Sequence, residues 1–239
     1  MAKVSVIVPA AGAGTRFGGK GNKILQRLGN GPVFMRTLEA FTSRPDVCQV
    51  LLVVSAADME TMRERFGGAL GLMGTALVEG GPTRTQSVRN ALAKVSEQAD
   101  LVCVHDAVRP CVAQEWIDAV FAQAEKTGAA ILACPVHGTL WNVADHQLQN
   151  TVERDGLWEA QTPQVFHREL LVRAYAGQAE ATDDAAMVRP FGAVHAVPAD
   201  ARNIKITTAR DLAFAAAVIN TLPKPKPTGG LHPFDEAQW

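Results

Sequence analysis

The sequence predicts an α/β fold, in which helices cover both faces of a doubly wound and mostly parallel sheet. Short apolar runs rich in Val, Ile and Leu alternate with longer segments of helical period, which is the pattern of such a sheet. The clearest helix runs from Gln114 to Lys126, where large apolar residues recur on one stripe. That stripe consists of Trp116, Ile117, Val120, Phe121 and Ala124. The six predicted strands are Val4 to Val8, Val47 to Ser55, Ala76 to Glu79, Leu101 to His105, Ala129 to Pro135 and Ala193 to Pro198.

A single domain is predicted over residues 1–222, followed by a Pro- and Gly-rich tail at 223–239. The 239 residues, 47% of them hydrophobic, are enough to bury a substantial core. The formal net charge of -1 gives no electrostatic case for nucleic acid or an anionic membrane as a partner. No apolar run has the length of a membrane helix and the N-terminus shows no signal peptide, so a cytoplasmic location is expected.

The alternation of helix and strand breaks down between residues 138 and 162, which predicts a protruding β-arm. Apolar residues at Leu140, Trp141 and Val143 precede a turn-like segment near His146, and Leu148 follows it. Exposed apolar side chains are unfavourable in water unless another surface covers them. We therefore expect a homodimer in which two such arms clasp.

The first predicted strand leads into a loop of small residues that carries cations, from Pro9 to Lys23. Small residues let main-chain N–H groups approach anionic oxygens, and Arg16 and Lys23 add fixed positive charge. A dinucleotide fingerprint fails at Phe17, where the third glycine belongs. A P-loop fails at Gly21, where a hydroxyl residue belongs. The loop is therefore typical of another kind of triphosphate site.

A second glycine segment, EGGPTRTQS from Glu79 to Ser87, ends a predicted strand and starts a helix. In doubly wound folds, ligands bind at the carboxyl ends of the strands, so Gly80, Gly81 and Ser87 could approach a nucleotide base. The alternative is a simple turn and helix cap with Thr83 or Thr85 as the cap.

The segment HDAVRP, from His105 to Pro110, directly follows a strand that is expected to be central. It places Asp106 where a carboxylate could bind Mg²⁺ or a substrate hydroxyl. Arg109 could project toward a phosphate, or it could form a structural ion pair with Asp106. His105 is expected to be a packed or hydrogen-bonded residue.

Several blocks occur in order along the chain: the PAAG loop with Arg16 and Lys23, the GG-x-x-R-x-x-S segment, HDAVRP, RDGLW with TPQ, and RNIKIT. Together they resemble the 2-C-methyl-D-erythritol 4-phosphate cytidylyltransferase family. The resemblance implies a sheet of the nucleotide-diphospho-sugar transferase type. It also implies a reaction in which the methylerythritol phosphate attacks the α-phosphorus of CTP, with Mg²⁺ as cofactor and pyrophosphate as leaving group.

The resemblance also implies roles for individual residues. Those expected to act in catalysis and to hold the phosphates are Arg16, Lys23, Arg154 and Lys205. Those expected at CTP are Ala10, Ala11, Gly12, Gly14, Gly81 and Ser87. Those expected around the polyol are Asp106, Arg109, Thr139 and Thr162, with Asp106 also the candidate metal ligand. In the family, Arg154 and Thr162 would come from the partner's arm.

Three positions depart from the family pattern. Asn22 stands in place of the usual proline before the catalytic lysine, Pro82 replaces the acidic residue after the double glycine, and Trp141 replaces a frequent lysine. Two alternatives stay open from the sequence. One is a ribitol 5-phosphate cytidylyltransferase, which shares most of these blocks, and the other is a catalytically silent nucleotide-binding homologue.

Overall fold

Eleven strands and seven helices are assigned in the computed structural model, which describes residues 1–12, 22–177 and 179–224. In chain order the strands are β1 (Val4–Pro9), β2 (Arg27–Leu28), β3 (Gly31–Pro32), β4 (Val47–Val54), β5 (Thr75–Glu79), β6 (Leu101–Val104), β7 (Ala129–Pro135), β8 (Leu140–Ala144), β9 (Gln147–Val152), β10 (Trp158–His167) and β11 (His195–Pro198). The helices are α1 (Val33–Thr42), α2 (Ala56–Leu72), α3 (Arg84–Leu92), α4 (Gln114–Thr127), α5 (Arg168–Tyr175), α6 (Asp184–Val188) and α7 (Ala209–Val218). Short 3₁₀ helices cover Lys23–Leu25, Arg189–Phe191 and Ile219–Thr221.

Seven of these strands form one sheet, in the order β11-β7-β10-β6-β1-β4-β5. All neighbouring pairs are parallel except those of β10, which runs antiparallel to both β6 and β7. The predicted α/β fold with a mostly parallel sheet is therefore confirmed, and all six predicted strands are present.

The sequence reasoning missed β10 and assigned its first residues to the arm. Pro163 argues against a central strand, since proline cannot donate a ladder hydrogen bond. In the structure the pairing of β10 with β7 is irregular between Ala160 and Gln164, so Pro163 lies where the ladder is interrupted. The chain from 158 to 162 thus belongs to the central sheet, and its buried residues include the polar Gln161 and Thr162.

Side chains alternate between two cores along the buried strands. In β1, Val4, Val6 and Val8 pack with residues of α1, α2 and α4, whereas Ile7 packs with residues of α3, α5 and α6. The predicted stripe of α4 is buried at all five positions. The helix ends at Gly128, whose φ of 86° is the left-handed conformation that favours glycine at this position.

The order of the strands places a crevice at the carboxyl ends of β1 and β6. After β1 the chain builds β4 and β5 on one side, then returns to add β6 on the other side of β1. In doubly wound folds the loops that follow two such strands diverge and leave room for a ligand. The loop after β1 and the segment that begins with His105 therefore meet at this edge of the sheet.

Strands β8 and β9 form a separate two-stranded hairpin over residues 140–152. Asp145 and His146 join them and both have positive φ, at 48° and 62°, as a two-residue hairpin turn of the mirror-image type requires. The role of this hairpin as a dimerisation arm stays a prediction. The tail predicted at 223–239 lies outside the described residues from 225 onward, and no helix of the described residues is long and apolar enough to span a membrane.

Candidate active site

A cleft of about 360 Å³ occupies the crevice between the ends of β1 and β6. Its walls include eight residues that the sequence predicted for the site: Ala10, Ala11, Gly12, Lys23, Gly81, Ser87, Asp106 and Lys205. A larger groove of about 880 Å³ lies at the opposite edge of the sheet, beside Met1 and Leu101, and no predicted site residue lines it. The smaller cleft, which the predicted residues line, is therefore the candidate active site.

One wall of the cleft depends on the absence of a side chain at Gly80. A Cβ atom there would lie 2.8 Å from the Ala11 Cβ and 2.8 Å from the Ser87 Oγ. Both distances are shorter than real Cβ contacts, so only glycine lets the β1 loop, the β5 end and α3 meet.

The main-chain amides on this wall are partly used within the protein. The Gly81 N–H donates to the Ser87 Oγ at 3.1 Å, and that hydroxyl donates to the Thr83 carbonyl at 2.9 Å. The Ala10 N–H donates to the Val53 carbonyl at 2.7 Å. Thr83 also caps α3 by accepting from the Gln86 N–H, so the glycine segment is both a helix cap and a cleft wall. The amides of Ala10 and Gly81 are therefore already used within the protein. What these two residues offer a nucleotide is their small size and their main-chain carbonyl oxygens.

Asp106 is the centre of a charged cluster on the other wall. Its Oδ2 lies 2.7 Å from the Lys205 Nζ and 4.0 Å from the Arg109 Nε, and its Oδ1 lies 3.6 Å from the Arg84 Nε. Burial by itself raises the pKa of Asp106, but the charges of Arg84, Lys205 and Arg109 outweigh burial and hold the pKa below its usual range. Asp106 is therefore an anion that orders three cations around the cleft.

Arg84 is a member of this cluster that the sequence reasoning did not single out. Its Nη2 lies 2.7 Å from Oδ2 of Asp184, a fully buried carboxylate that also accepts from the Tyr175 hydroxyl at 2.5 Å. The two carboxylates, Asp106 and Asp184, thus fix the guanidinium from two sides. The arginine in EGGPTRTQS was the available signal, but its buried partner lies 100 residues further along the chain.

Arg109 is 5% exposed and carries a hydrogen-bond donor that no described residue satisfies. Its Nη1 donates to the Asn203 carbonyl at 2.6 Å, whereas its Nε is only within 4.0 Å of Asp106. The Asn203 Oδ1 is also buried without a partner among the described residues. Arg109 therefore lies behind Asp106: it does not line the cleft, its Nε is buried, and that atom is 4.0 Å from the Asp106 carboxylate.

Thr162 lies on β10 and comes from the same chain as Asp106, not from a partner's arm as expected. Its hydroxyl accepts from the Asp106 N–H at 3.1 Å and lies 3.2 Å from the His105 Nδ1. The other ring nitrogen of His105 lies 3.0 Å from the Arg109 carbonyl, so Nε2 carries the proton and Nδ1 accepts from Thr162. The threonine therefore links β10 to the turn that carries Asp106, and His105 is hydrogen-bonded as predicted.

Because the imidazole of His105 is buried, we expect the unfolding free energy of the protein to decrease in acid. Burial lowers the pKa of His105 to about 4, against the opposing effects of the Arg109 carbonyl and the Asp106 carboxylate. Between the ordinary value near 6.5 and this lower value the unfolded chain binds more protons, so stability falls as the pH falls. We expect the wild type to lose about 3 kcal/mol more of its unfolding free energy between pH 7 and pH 4 than His105→Gln does. Urea unfolding of both proteins across this range measures the difference, and parallel pH profiles would contradict the assignment.

Arg109 and Thr162 contact Asp106 but do not line the cleft, and the other four predicted residues are not among the described residues that line it. Thr139 is exposed in the loop between β7 and β8. Arg154 is exposed at the base of the hairpin, where its Nη1 donates to the His137 carbonyl. Gly14 and Arg16 lie outside the described residues.

The fold and the cleft together define a Rossmann-like α/β protein of the nucleotidyltransferase class. The family model for 2-C-methyl-D-erythritol 4-phosphate cytidylyltransferase, IspD, matches residues 4–221. The chain belongs to this family.

Two relatives and two solved structures are similar to this chain over most of its length. The cytidylyltransferase of Rhodopirellula baltica is 42% identical over 233 residues, with 92% of this chain and 96% of the relative covered. That of Solibacter usitatus is 39% identical, with 89% and 94% covered. A crystal structure of 4-diphosphocytidyl-2C-methyl-D-erythritol synthase aligns with a TM-score of 0.79 at 32% identity and covers 92% of this chain and 99% of its own. The crystal structure of the Thermus thermophilus cytidylyltransferase aligns with a TM-score of 0.76 at 31% identity and covers 91% and 99%.

Proposed function

We propose that this chain transfers CMP from CTP to 2-C-methyl-D-erythritol 4-phosphate and releases pyrophosphate. A phosphate oxygen of the acceptor attacks the α-phosphorus of CTP, and the bond from that phosphorus to the bridging β-phosphate oxygen breaks. The observation that carries the proposal is the cleft at the ends of β1 and β6, which holds small residues on one wall and the Asp106 cluster on the other. Release of pyrophosphate that requires both CTP and the acceptor tests the assignment.

Positioning and charge are sufficient for this reaction. In-line phosphoryl transfer needs little covalent chemistry from a protein, and the proposal uses no nucleophilic side chain. Lys23 lines the cleft, and the proposal gives it the role of neutralising charge that develops at the α-phosphate. Arg16, which lies outside the described residues, is proposed to act with it. Such charge neutralisation lowers the barrier because it is stronger in the transition state than in the ground state.

The Asp106 cluster suits the acceptor. Arg84, Arg109 and Lys205 supply three positive charges against the two carboxylates of Asp106 and Asp184, so the cluster has a net positive charge. The exposed side of Lys205, which lines the cleft, can donate to phosphate or hydroxyl oxygens, and Arg109 adds its charge from behind Asp106. Asp106 can accept from a polyol hydroxyl while it holds the cations in place.

The nucleotide side of the cleft favours a pyrimidine. Ala11, Gly81 and Ser87 line this wall, and Gly80 has no room for a side chain, so a base can approach the main chain closely here. A pyrimidine is the smaller base and suits such a close approach. CTP is therefore proposed as the donor in preference to GTP or ATP.

Mg²⁺ is proposed as the cofactor, bound mainly through the triphosphate. Asp106 is the single carboxylate among the described residues that line the cleft, and the described residues hold no cluster of three or more metal-ligating side chains. Magnesium is often held by one or two carboxylates together with substrate phosphates and water, which fits this donor set. When bound, the ion would neutralise phosphate charge. Asp106 is the predicted protein ligand, but Lys205, Arg84 and Arg109 already surround its carboxylate, so the triphosphate would supply most of the ligands.

A homodimer through the hairpin is proposed because apolar side chains on and beside it are exposed. Trp141 is 45% exposed, Val143 57% and Leu148 62%, and Trp158 at the start of β10 is 42% exposed. Arg154 at the hairpin base does not line the cleft of its own chain, which suits a side chain that acts at the partner's cleft. The cytoplasmic location stays a prediction from the sequence.

Mixing two inactive variants tests whether Arg154 acts across the dimer. We expect Lys23→Ala and Arg154→Ala each to lose turnover alone, and mixed dimers to regain one intact site. Random exchange of subunits then restores about a quarter of the wild-type activity. Pyrophosphate release after joint refolding measures the recovery, with each variant refolded alone as the control. No recovery in mixed dimers, isolated through a different affinity tag on each variant, would place Arg154 in its own chain's site.

A further inference from the structure

Lys23 is held in the cleft between two anchors on its own short 3₁₀ helix. On one side, Ile24 is 1% exposed and packs in the core. On the other side, Asn22 caps the helix, because its Oδ1 accepts from the Ile24 N–H at 3.3 Å. The same side chain donates from Nδ2 to the Asp58 Oδ2 at 3.2 Å. The main chain of Lys23 is thus tied to another part of the fold through Asn22.

Asp58 belongs to a rigid junction between β4 and α2. It lies in the first turn of α2, where its N–H donates to the Oγ of the cap residue Ser55 at 3.2 Å. The Ser55 hydroxyl donates to the Asp58 Oδ2 at 2.7 Å, so the carboxylate oxygen that accepts from Asn22 is itself fixed. Ser55 directly follows β4, which pairs with β1 along the whole length of β1. The Asp58 carboxylate is therefore held in place relative to β4 and to its neighbour β1, whose carboxyl end borders the cleft.

We propose that Asn22 and Asp58 form a positioning pair that sets the location of Lys23 in the cleft. The pair touches no reacting atom and acts through the main chain of Lys23. The inference rests on the proposed function, since it gives Lys23 a role in turnover. Misplacement of a catalytic group by about 1 Å can lower a rate by about 100-fold, so a pair of this kind affects kcat more than binding.

The backbone at position 22 makes the proposal testable by rescue. Asn22 has φ -68° and ψ 124°. Proline locks φ near this value, at about -65°. The proline ring in Asn22→Pro therefore keeps the backbone conformation that leads into Lys23. The variant loses both hydrogen bonds of the asparagine side chain. Asn22→Ala has neither the ring nor the hydrogen bonds.

Steady-state kinetics of pyrophosphate release on these variants measures the effect. We expect Asn22→Ala and Asp58→Ala each to lower kcat by about 10-fold, and the double variant to be no worse than either single one. Asn22→Pro and Asp58→Asn are expected to retain kcat within about threefold, because proline fixes φ and an amide oxygen still accepts both hydrogen bonds. The matched control is Glu60→Gln, which removes an exposed carboxylate from the same helix and should leave kcat unchanged.

Hydrogen exchange at the Ile24 amide gives a readout that does not depend on activity. We expect this amide to exchange at least about fivefold faster in Asp58→Ala than in the wild type, since Asn22 then loses its anchor. Three results would each contradict the positioning role of the pair. They are unchanged exchange in Asp58→Ala, a wild-type kcat in Asn22→Ala, and a double variant whose loss of kcat equals the product of the two single losses. A wild type that releases no pyrophosphate would overturn the proposed function instead, and the exchange measurement would still decide the pair.

Discussion

Lys23→Ala is expected to lower kcat by about 100- to 1,000-fold, the usual effect of losing a preorganised group that stabilises transition-state charge. The residue lines the cleft, and its helical turn is held by the buried Ile24 and by the Asn22 cap. The KM for CTP should change much less than kcat, because the charge at the α-phosphate develops only as the reaction proceeds. Steady-state pyrophosphate release measures both constants.

A lysine on a distant helix provides the control for this variant. Lys126 is exposed in the last turn of α4, so Lys126→Ala should keep full turnover. Both variants should unfold thermally within a few degrees of the wild type. A kcat for Lys23→Ala within about tenfold of the wild type would contradict the catalytic role.

Asp106→Asn is expected to lower the unfolding free energy by about 3 kcal/mol, the lower end for a broken buried charge pair, because Lys205 is partly exposed. The variant leaves Arg84, Arg109 and Lys205 without their shared counter-charge, although Arg84 keeps its contact with Asp184. The same change should lower kcat/KM for the acceptor by about 100-fold, because the three cations lose the group that orients them. Urea unfolding and acceptor titration measure the two effects.

Asp118→Asn is the matched control, since 64% of the Asp118 side chain is exposed and its partner Arg44, 2.8 Å away, keeps a second pair with Asp46. A pair with an exposed carboxylate of this kind contributes at most about 1 kcal/mol. Equal stability losses in the two variants would show that the Asp106 cluster is not a buried charge network. A normal acceptor KM and kcat in Asp106→Asn would remove Asp106 from the site.

The parts of the fold that depend on local pattern could be predicted from the sequence. Apolar runs indicated the strands Val4–Pro9 and Leu101–Val104, and a stripe of helical period indicated α4. The strand β10 could not be found in this way, because its buried residues include the polar Gln161, Thr162 and Gln164 and its ladder is interrupted beside Pro163. Their polarity reflects hydrogen bonds to residues far along the chain, and a pattern within one segment does not show these.

The candidate site was predictable where its residues end strands or form glycine turns. Gly81, Asp106 and Lys205 were expected and all three line the cleft. The contacts of Arg84 with Asp184 and of Asn22 with Asp58 were not predictable. Each joins two segments that are apart in the sequence and become neighbours only in the folded protein. The assignment of Thr162 to a partner's arm was wrong for the same reason, because β10 inserts between β6 and β7 of its own chain.

The most direct test of the central claim is a comparison of two acceptors with CTP by phosphorus NMR. With 2-C-methyl-D-erythritol 4-phosphate, we expect a new diphosphate diester and one pyrophosphate for each CTP consumed. With ribitol 5-phosphate, the rate should be about 10- to 100-fold lower, because its unbranched chain is one carbon longer and lacks the methyl group. Faster turnover of ribitol 5-phosphate, or no diphosphate product with either acceptor, would contradict the proposed function.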